Sequence, residues 1–268
     1  MGLLQKTSAI ARVSALLGKF LIHASFQQKS IKDDRARRDF FIQNMSEYSA
    51  KFLQHLNVDV RVKGLDRAKL KNRNFLFIGN HMSYLEVLAL SAEVPAIFVT
   101  SVDMGETKLI GKLAELVGAI FVERRNRKQV ALDLKKITQA LRDGYNVVIY
   151  PEGTTSDGAA LLPFKTSLLN AALEAGKDIW PVCTRYLEFN GEPFAMHNRD
   201  KLCWAGDTTF GAHITGLLTS DSSKIELEFL EPIRVTEDSD RHELADQAFA
   251  MLTEAYGQPL GSSGQHQP

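Results

Sequence analysis

A histidine and a carboxylate stand five positions apart in Asn80-His81-Met82-Ser83-Tyr84-Leu85-Glu86, directly after the apolar run Phe75-Leu76-Phe77-Ile78. At neutral pH an unprotonated imidazole is the side chain best placed to take a proton from a hydroxyl, provided a carboxylate fixes its tautomer and stabilises the imidazolium. On one ideal helix, residues five apart point about 140° away from each other. Astride a strand-to-helix turn the two can meet. The segment also allows another reading, in which Ser83 caps the helix, Glu86 completes a capping box and His81 is a turn residue. A second polar turn, Tyr150-Pro151-Glu152-Gly153-Thr154-Thr155, follows Val147-Val148-Ile149, and Gly153 lets backbone approach a ligand closely. A third segment, Gly118 to Arg124, ends a strand in Arg124-Arg125, where a guanidinium can hold a phosphate by two hydrogen bonds. No serine or cysteine occupies a sharp-turn motif of the hydrolase kind, so the histidine pair suits direct transfer, in which an acceptor's own hydroxyl attacks.

These turns need elements to place them. Apolar runs predict strands at Val58–Lys63, Phe75–Gly79, Ala96–Thr100, Ala119–Val122, Val147–Tyr150, Ile179–Tyr186 and Ile225–Phe229. Helices fit Tyr84–Ala92, Lys108–Leu116, Arg127–Asp143, Leu168–Ala175 and Asp240–Ala255, with Gly144 and Gly176 as stops. Strands alternating with helices of this length predict an α/β domain, its mostly parallel sheet covered by helices on both faces. Asn190-Gly191 predicts a late hairpin. Before the first strand, two helices are expected, roughly Thr7 to Lys29 and Asp33 to Leu56. The division is thus an N-terminal amphipathic helical segment over 1–57, an α/β domain over 58–256, and a disordered tail over 257–268.

The chain has 268 residues and balances 32 basic against 32 acidic side chains, which gives no reason to expect nucleic acid. From Met1 to Arg73, however, there are fifteen Lys/Arg and six Asp/Glu, whereas the segment after Ser220 is acidic. A basic N-terminus suits an anionic membrane surface, and a solvated helical face is the plainer alternative. Ile10, Val13, Leu16, Leu17, Phe20 and Leu21 recur at helical spacing, as in a helix that lies in a membrane interface or equally one that packs on its own domain. Arg12, Lys19 and His23 interrupt the stretch Ile10–Phe26, so no transmembrane span and no signal peptide are expected. The two cysteines, Cys183 and Cys203, make no disulfide framework, and the scattered histidines show no metal-ligand spacing, so no metal is expected.

Asn80-His81-x-Ser83-x-x-Glu86, Gly118-x-x-Phe121-Val122-x-Arg124, Pro151-Glu152-Gly153-Thr154 and Trp180-Pro181-Val182 stand in the order of the four motifs of glycerolipid acyltransferases. The chain resembles the 1-acylglycerol-3-phosphate acyltransferase type over roughly Phe75 to Tyr186. The resemblance implies that His81 is the general base on the acceptor hydroxyl and that Glu86 orients it. It implies substrate contacts at Asn80, Ser83, Arg124, Glu152, Gly153, Thr154 and Lys165. The donor would be a fatty acyl thioester on coenzyme A or acyl carrier protein, with no cofactor. The acceptor would be a membrane lysolipid, 1-acylglycerol-3-phosphate first, and the enzyme would sit peripherally on the cytoplasmic face of the cell membrane. The family usually carries aspartate where this chain has Glu86, and commonly arginine where it has Thr155. Pro151 to Gly158, with Leu162-Pro163-Phe164-Lys165, is more similar to the lyso-ornithine lipid O-acyltransferase branch, whose acceptor lacks a phosphate, so that Arg124 could instead hold a carboxylate. A non-catalytic lipid-binding protein and a thioesterase are the rival expectations.

Overall fold

A computed structural model describes residues 3–123 and 126–257. In chain order the elements are α1 (Leu3–Ser30), α2 (Asp34–His55), β1 (Val58–Lys63), α3 (Arg67–Leu70), β2 (Leu76–Gly79), α4 (Leu85–Glu93), β3 (Ile97–Ser101), α5 (Val102–Gly105), α6 (Lys108–Leu116) and β4 (Ile120–Val122). There follow α7 (Arg127–Arg142), β5 (Val147–Ile149), α8 (Asn170–Ala175), β6 (Ile179–Phe189), β7 (Glu192–Pro193), α9 (Phe210–Leu218), β8 (Ser223–Phe229) and α10 (Arg241–Tyr256). The strands form one sheet in the order β1-β8-β6-β2-β5-β3-β4, with β7 added to β6. Neighbours are parallel except where β8 and β7 lie antiparallel to β6. The mostly parallel α/β sheet expected from the sequence is therefore present.

Strand alternation feeds two cores. Phe75 and Phe77 turn to one face, where they meet Trp180, Phe229, Leu85 and Ala89 of α4, and Met45 and Leu53 of α2. Leu76 and Ile78 turn to the other, against Ile137 and Leu141 of α7, Ala172 of α8 and Ala248 of α10. Because both faces are buried, the strands read as continuous apolar runs. Trp180 sits stacked on Phe77 with centroids 5.5 Å apart, and its indole N–H donates to the Leu230 carbonyl at 2.7 Å. The Asn190-Gly191 hairpin forms with φ of 52° and 85°, joining β6 to β7.

For α1 the structure shows the second of the two placements left open in the sequence. Its apolar stripe faces the protein: Val13, Leu16 and Phe20 are buried, and Phe20 packs with Leu116 of α6 and edge-on to Tyr48 of α2. The large apolar residues left on its open surface are Ile10, Ile22 and Phe26. By length and composition alone, Ala9–Ser30 is long and apolar enough to cross a membrane, with Arg12, Lys19 and His23 interrupting it. Periodicity shows which residues share a face, not what covers it.

Candidate active site

The site lies where β2 and β5 end side by side, with β6 running on beside β2. Asn80 follows β2, and its buried side-chain amide ties that end to β6 by donating to the Thr184 carbonyl at 2.9 Å and accepting the Thr184 N–H at 2.8 Å. His81 comes next, and the turn to α4 brings Glu86 back beneath it, so that His81 Nδ1 and Glu86 Oε1 lie 2.9 Å apart. The same oxygen accepts the backbone N–H groups of Met82 at 2.5 Å and Ser83 at 2.6 Å. The two readings of this segment are therefore not exclusive. Glu86 accepts the Ser83 N–H as in a capping box and holds the imidazole with the same oxygen, while Tyr84 stands at the N-cap of α4 without a side-chain cap bond. With Nδ1 engaged, Nε2 is the ring nitrogen without a protein partner among the described residues, and the His81 side chain keeps 21% exposure.

The second turn holds the first. Glu152 is buried, with Oε1 accepting the His81 N–H at 2.8 Å and Oε2 the Leu162 N–H at 3.0 Å. In return the Ser156 N–H donates to the His81 carbonyl at 2.7 Å. Burial raises the Glu152 carboxyl to about 7; the two N–H bonds oppose the rise and the charge of Glu86 adds to it. The Tyr150 ring lies parallel to the imidazole of His81 at 4.2 Å, and its buried hydroxyl has no hydrogen-bond partner among the described residues. Gly153 takes φ of 73°, and a Cβ there would stand 2.7 Å from Lys165 Nζ, so the glycine lets the lysine cross the turn. Lys165 reaches a cleft at the ends of β3, β4 and β5, lined also by Thr100, Val122, Ile149, Tyr150 and Ser167.

Of the residues singled out in the sequence, His81, Glu86, Asn80, Ser83 and Glu152 are drawn together, with Gly153 and Lys165 beside the adjoining cleft. Asn80, Ser83 and Glu152 are buried and give polar atoms to backbone groups, so they shape the turns. Thr154 is exposed. Arg124 lies outside the described residues. Thr155, in the place where arginine was noted as common, turns its hydroxyl to the Trp204 carbonyl. Sequence reasoning missed Tyr150 and Tyr186. The Tyr186 hydroxyl donates to Glu86 Oε2 at 2.6 Å from a hundred residues away, and the only linear signal was its inward register with Trp180 and Val182 on one strand.

Comparison with known proteins gives the chain a family. Residues 59–185 match the acyltransferase family profile. The lyso-ornithine lipid O-acyltransferase of Pseudomonas aeruginosa is 32% identical over 199 residues, covering 74% of this chain and 72% of that protein. The chain belongs to the acyltransferase family. Its resemblance extends to the lyso-ornithine lipid O-acyltransferase of Rhizobium meliloti, 34% identical over 195 residues, which cover 70% of this chain and 64% of the relative's length. A 1-acyl-sn-glycerol-3-phosphate acyltransferase of Neisseria gonorrhoeae is 28% identical over 171 residues, 64% of this chain and 65% of that one. The family's fold is seen again in the crystal structure of the 1-acyl-sn-glycerophosphate acyltransferase PlsC from Thermotoga maritima. That chain superposes with a TM-score of 0.66 over 94% of both chains at 18% identity.

Proposed function

We propose that this acyltransferase moves a fatty acyl group from a thioester of coenzyme A or acyl carrier protein to the free hydroxyl of a lysolipid. One observation carries the reading: His81 Nδ1 is fixed 2.9 Å from a buried carboxylate while Nε2 has no partner among the described residues. Nε2 takes the proton of the acceptor hydroxyl as its oxygen attacks the thioester carbonyl. A C–O bond forms, the C–S bond breaks, and the proton passes to the departing thiolate. Glu86 stabilises the imidazolium in between. For the acceptor, the sequence placed 1-acylglycerol-3-phosphate first. The relatives named lyso-ornithine lipid O-acyltransferases, and a Thr155 hydroxyl committed to backbone, support putting the lyso-ornithine lipid ahead of it.

The enzyme works on a membrane surface, which we assign to the cytoplasmic face. We favour α1 lying on that surface over α1 crossing it. Its buried stripe is used on α2 and α6, and its open side carries Ile22 and Phe26 beside Lys19, a composition suited to an interface. The test offers labelled acyl-coenzyme A and acyl carrier protein with each lysolipid in turn. Transfer to the lyso-ornithine lipid, lost in His81→Ala by about 10²–10⁴-fold, is expected. Transfer to 1-acylglycerol-3-phosphate alone restores the phosphate acceptor. Hydrolysis at full rate without any acceptor, or lipid binding with no turnover, refutes acyl transfer.

A further inference from the structure

Glu86 is fully buried, and its two oxygens are served unequally. Oε1 takes the imidazole and two backbone N–H groups. Oε2 has one hydrogen-bond partner among the described residues, the Tyr186 hydroxyl at 2.6 Å. That hydroxyl is buried, interacts with Ser83 as well, and is pushed well above its ordinary titration range by burial and then by Glu86, so it remains a donor at working pH. The ring is fixed too: it packs edge-on against Phe194 with centroids 5.5 Å apart, just before the register shift of β6 against β8. Without the hydroxyl, Oε2 would be an unpaired oxygen in a dry pocket, and the carboxylate could rotate away from His81.

We propose that Tyr186 is a positioning residue of the reaction, holding the second oxygen of Glu86 so that the first stays on His81 Nδ1. This rests on the acyl-transfer reading above. It carries a specific expectation for chain length at position 86. A carboxylate one methylene shorter draws back from β6, so the Tyr186 hydroxyl should matter in the presence of Glu86 and matter little beside aspartate.

The experiment is a double-mutant cycle of Tyr186→Phe, Glu86→Asp and both, measured as kcat and KM across pH, with thermal unfolding of each protein. Tyr186→Phe should lower kcat about tenfold to a hundredfold with acceptor KM unchanged, in line with other partners that orient a functional group from behind. The acid limb of its kcat/KM profile should move to lower pH, because a carboxylate free to turn away from His81 stabilises the imidazolium less. In the Glu86→Asp background the further loss should fall below about threefold, a clear departure from additivity. A Tyr186→Phe enzyme within twofold of wild type with an unmoved limb overturns the proposal, as does an equal loss in both backgrounds. Should Tyr186→Phe fail to fold, proton NMR of the wild type decides. A slowly exchanging, downfield tyrosine hydroxyl that disappears in Glu86→Ala is required, and its absence refutes the assignment. Failure of the acyl-transfer reading would look different, as wild type that transfers to no lysolipid.

Discussion

Glu152 links the two turns of the site, and its replacement by glutamine tests that link through pH. Both carboxylate oxygens accept backbone N–H groups, and burial lifts the group from about 4.5 to about 7. Because the folded state holds this proton more tightly than the unfolded chain, the associated stability is fully present below about 4.5 and is lost as pH rises through about 7. At about 1.4 kcal/mol per pH unit, that is roughly 3 kcal/mol. Glu152→Gln has no titrating group there, and its NH2 faces an N–H donor, which costs about 1–3 kcal/mol at every pH. The wild type should therefore exceed the variant most at pH 5, and the margin should narrow by pH 8. For a chain of this size, roughly 3 kcal/mol corresponds to a change of about 6–12 °C in the difference between the two melting temperatures. Calorimetry of both proteins at pH 5 and pH 8 reads it directly. A margin that stays constant, or widens with pH, refutes the argument.

Gly153→Ala should lose about 1–2 kcal/mol from its left-handed backbone and displace Lys165, lowering the melting temperature and raising acceptor KM. Tyr150→Phe deletes a buried hydroxyl with no hydrogen-bond partner among the described residues and should leave stability within about 1 kcal/mol of wild type. Tyr150→Leu removes the ring stacked on His81, worth about 0.5–1.5 kcal/mol, and should lower kcat about tenfold with little change in KM. On α1, serine at Ile22 and Phe26 should weaken sedimentation with anionic vesicles at unchanged melting temperature. Serine at Val13 and Phe20 should instead destabilise the fold by about 3 kcal/mol or more, seen by denaturant titration.

The sheet was legible because its strands are buried on both sides and spell continuous apolar runs, as in Leu76-Phe77-Ile78 and Val147-Val148-Ile149. The helix α9 was not. Phe210-Gly-Ala-His-Ile-Thr-Gly-Leu-Leu carries two glycines and no charged face, and what fixes it is the Thr209 cap and the contact of buried His213 with Tyr84 at 2.9 Å. The His81–Glu86 pair could be found because both members sit in one turn. Tyr186, Tyr150 and the true covering of α1 depend on partners far along the chain, where a lone tyrosine at a strand end reads as ordinary core. The backbone hydrogen bonds of Asn80 and Glu152 were hidden in the sequence for a related reason. Residue type marks a polar group near a site, yet only the fold says whether backbone has already claimed it.

The edge strand β1 sets an order for building the molecule. Its ladder is made wholly with β8, and Val58 faces Ser223, 165 positions later in the chain. During synthesis, at about 5–20 residues per second, Val58–Lys63 emerges on the order of 10–30 s before its partner exists. All three site strands, β2, β5 and β6, are complete before then, so the catalytic turns can assemble on a sheet whose outer edge is still open. A chain released before Ser223 would carry every residue of the site described here and yet leave β6 and β1 as unpaired edges, a form expected to aggregate.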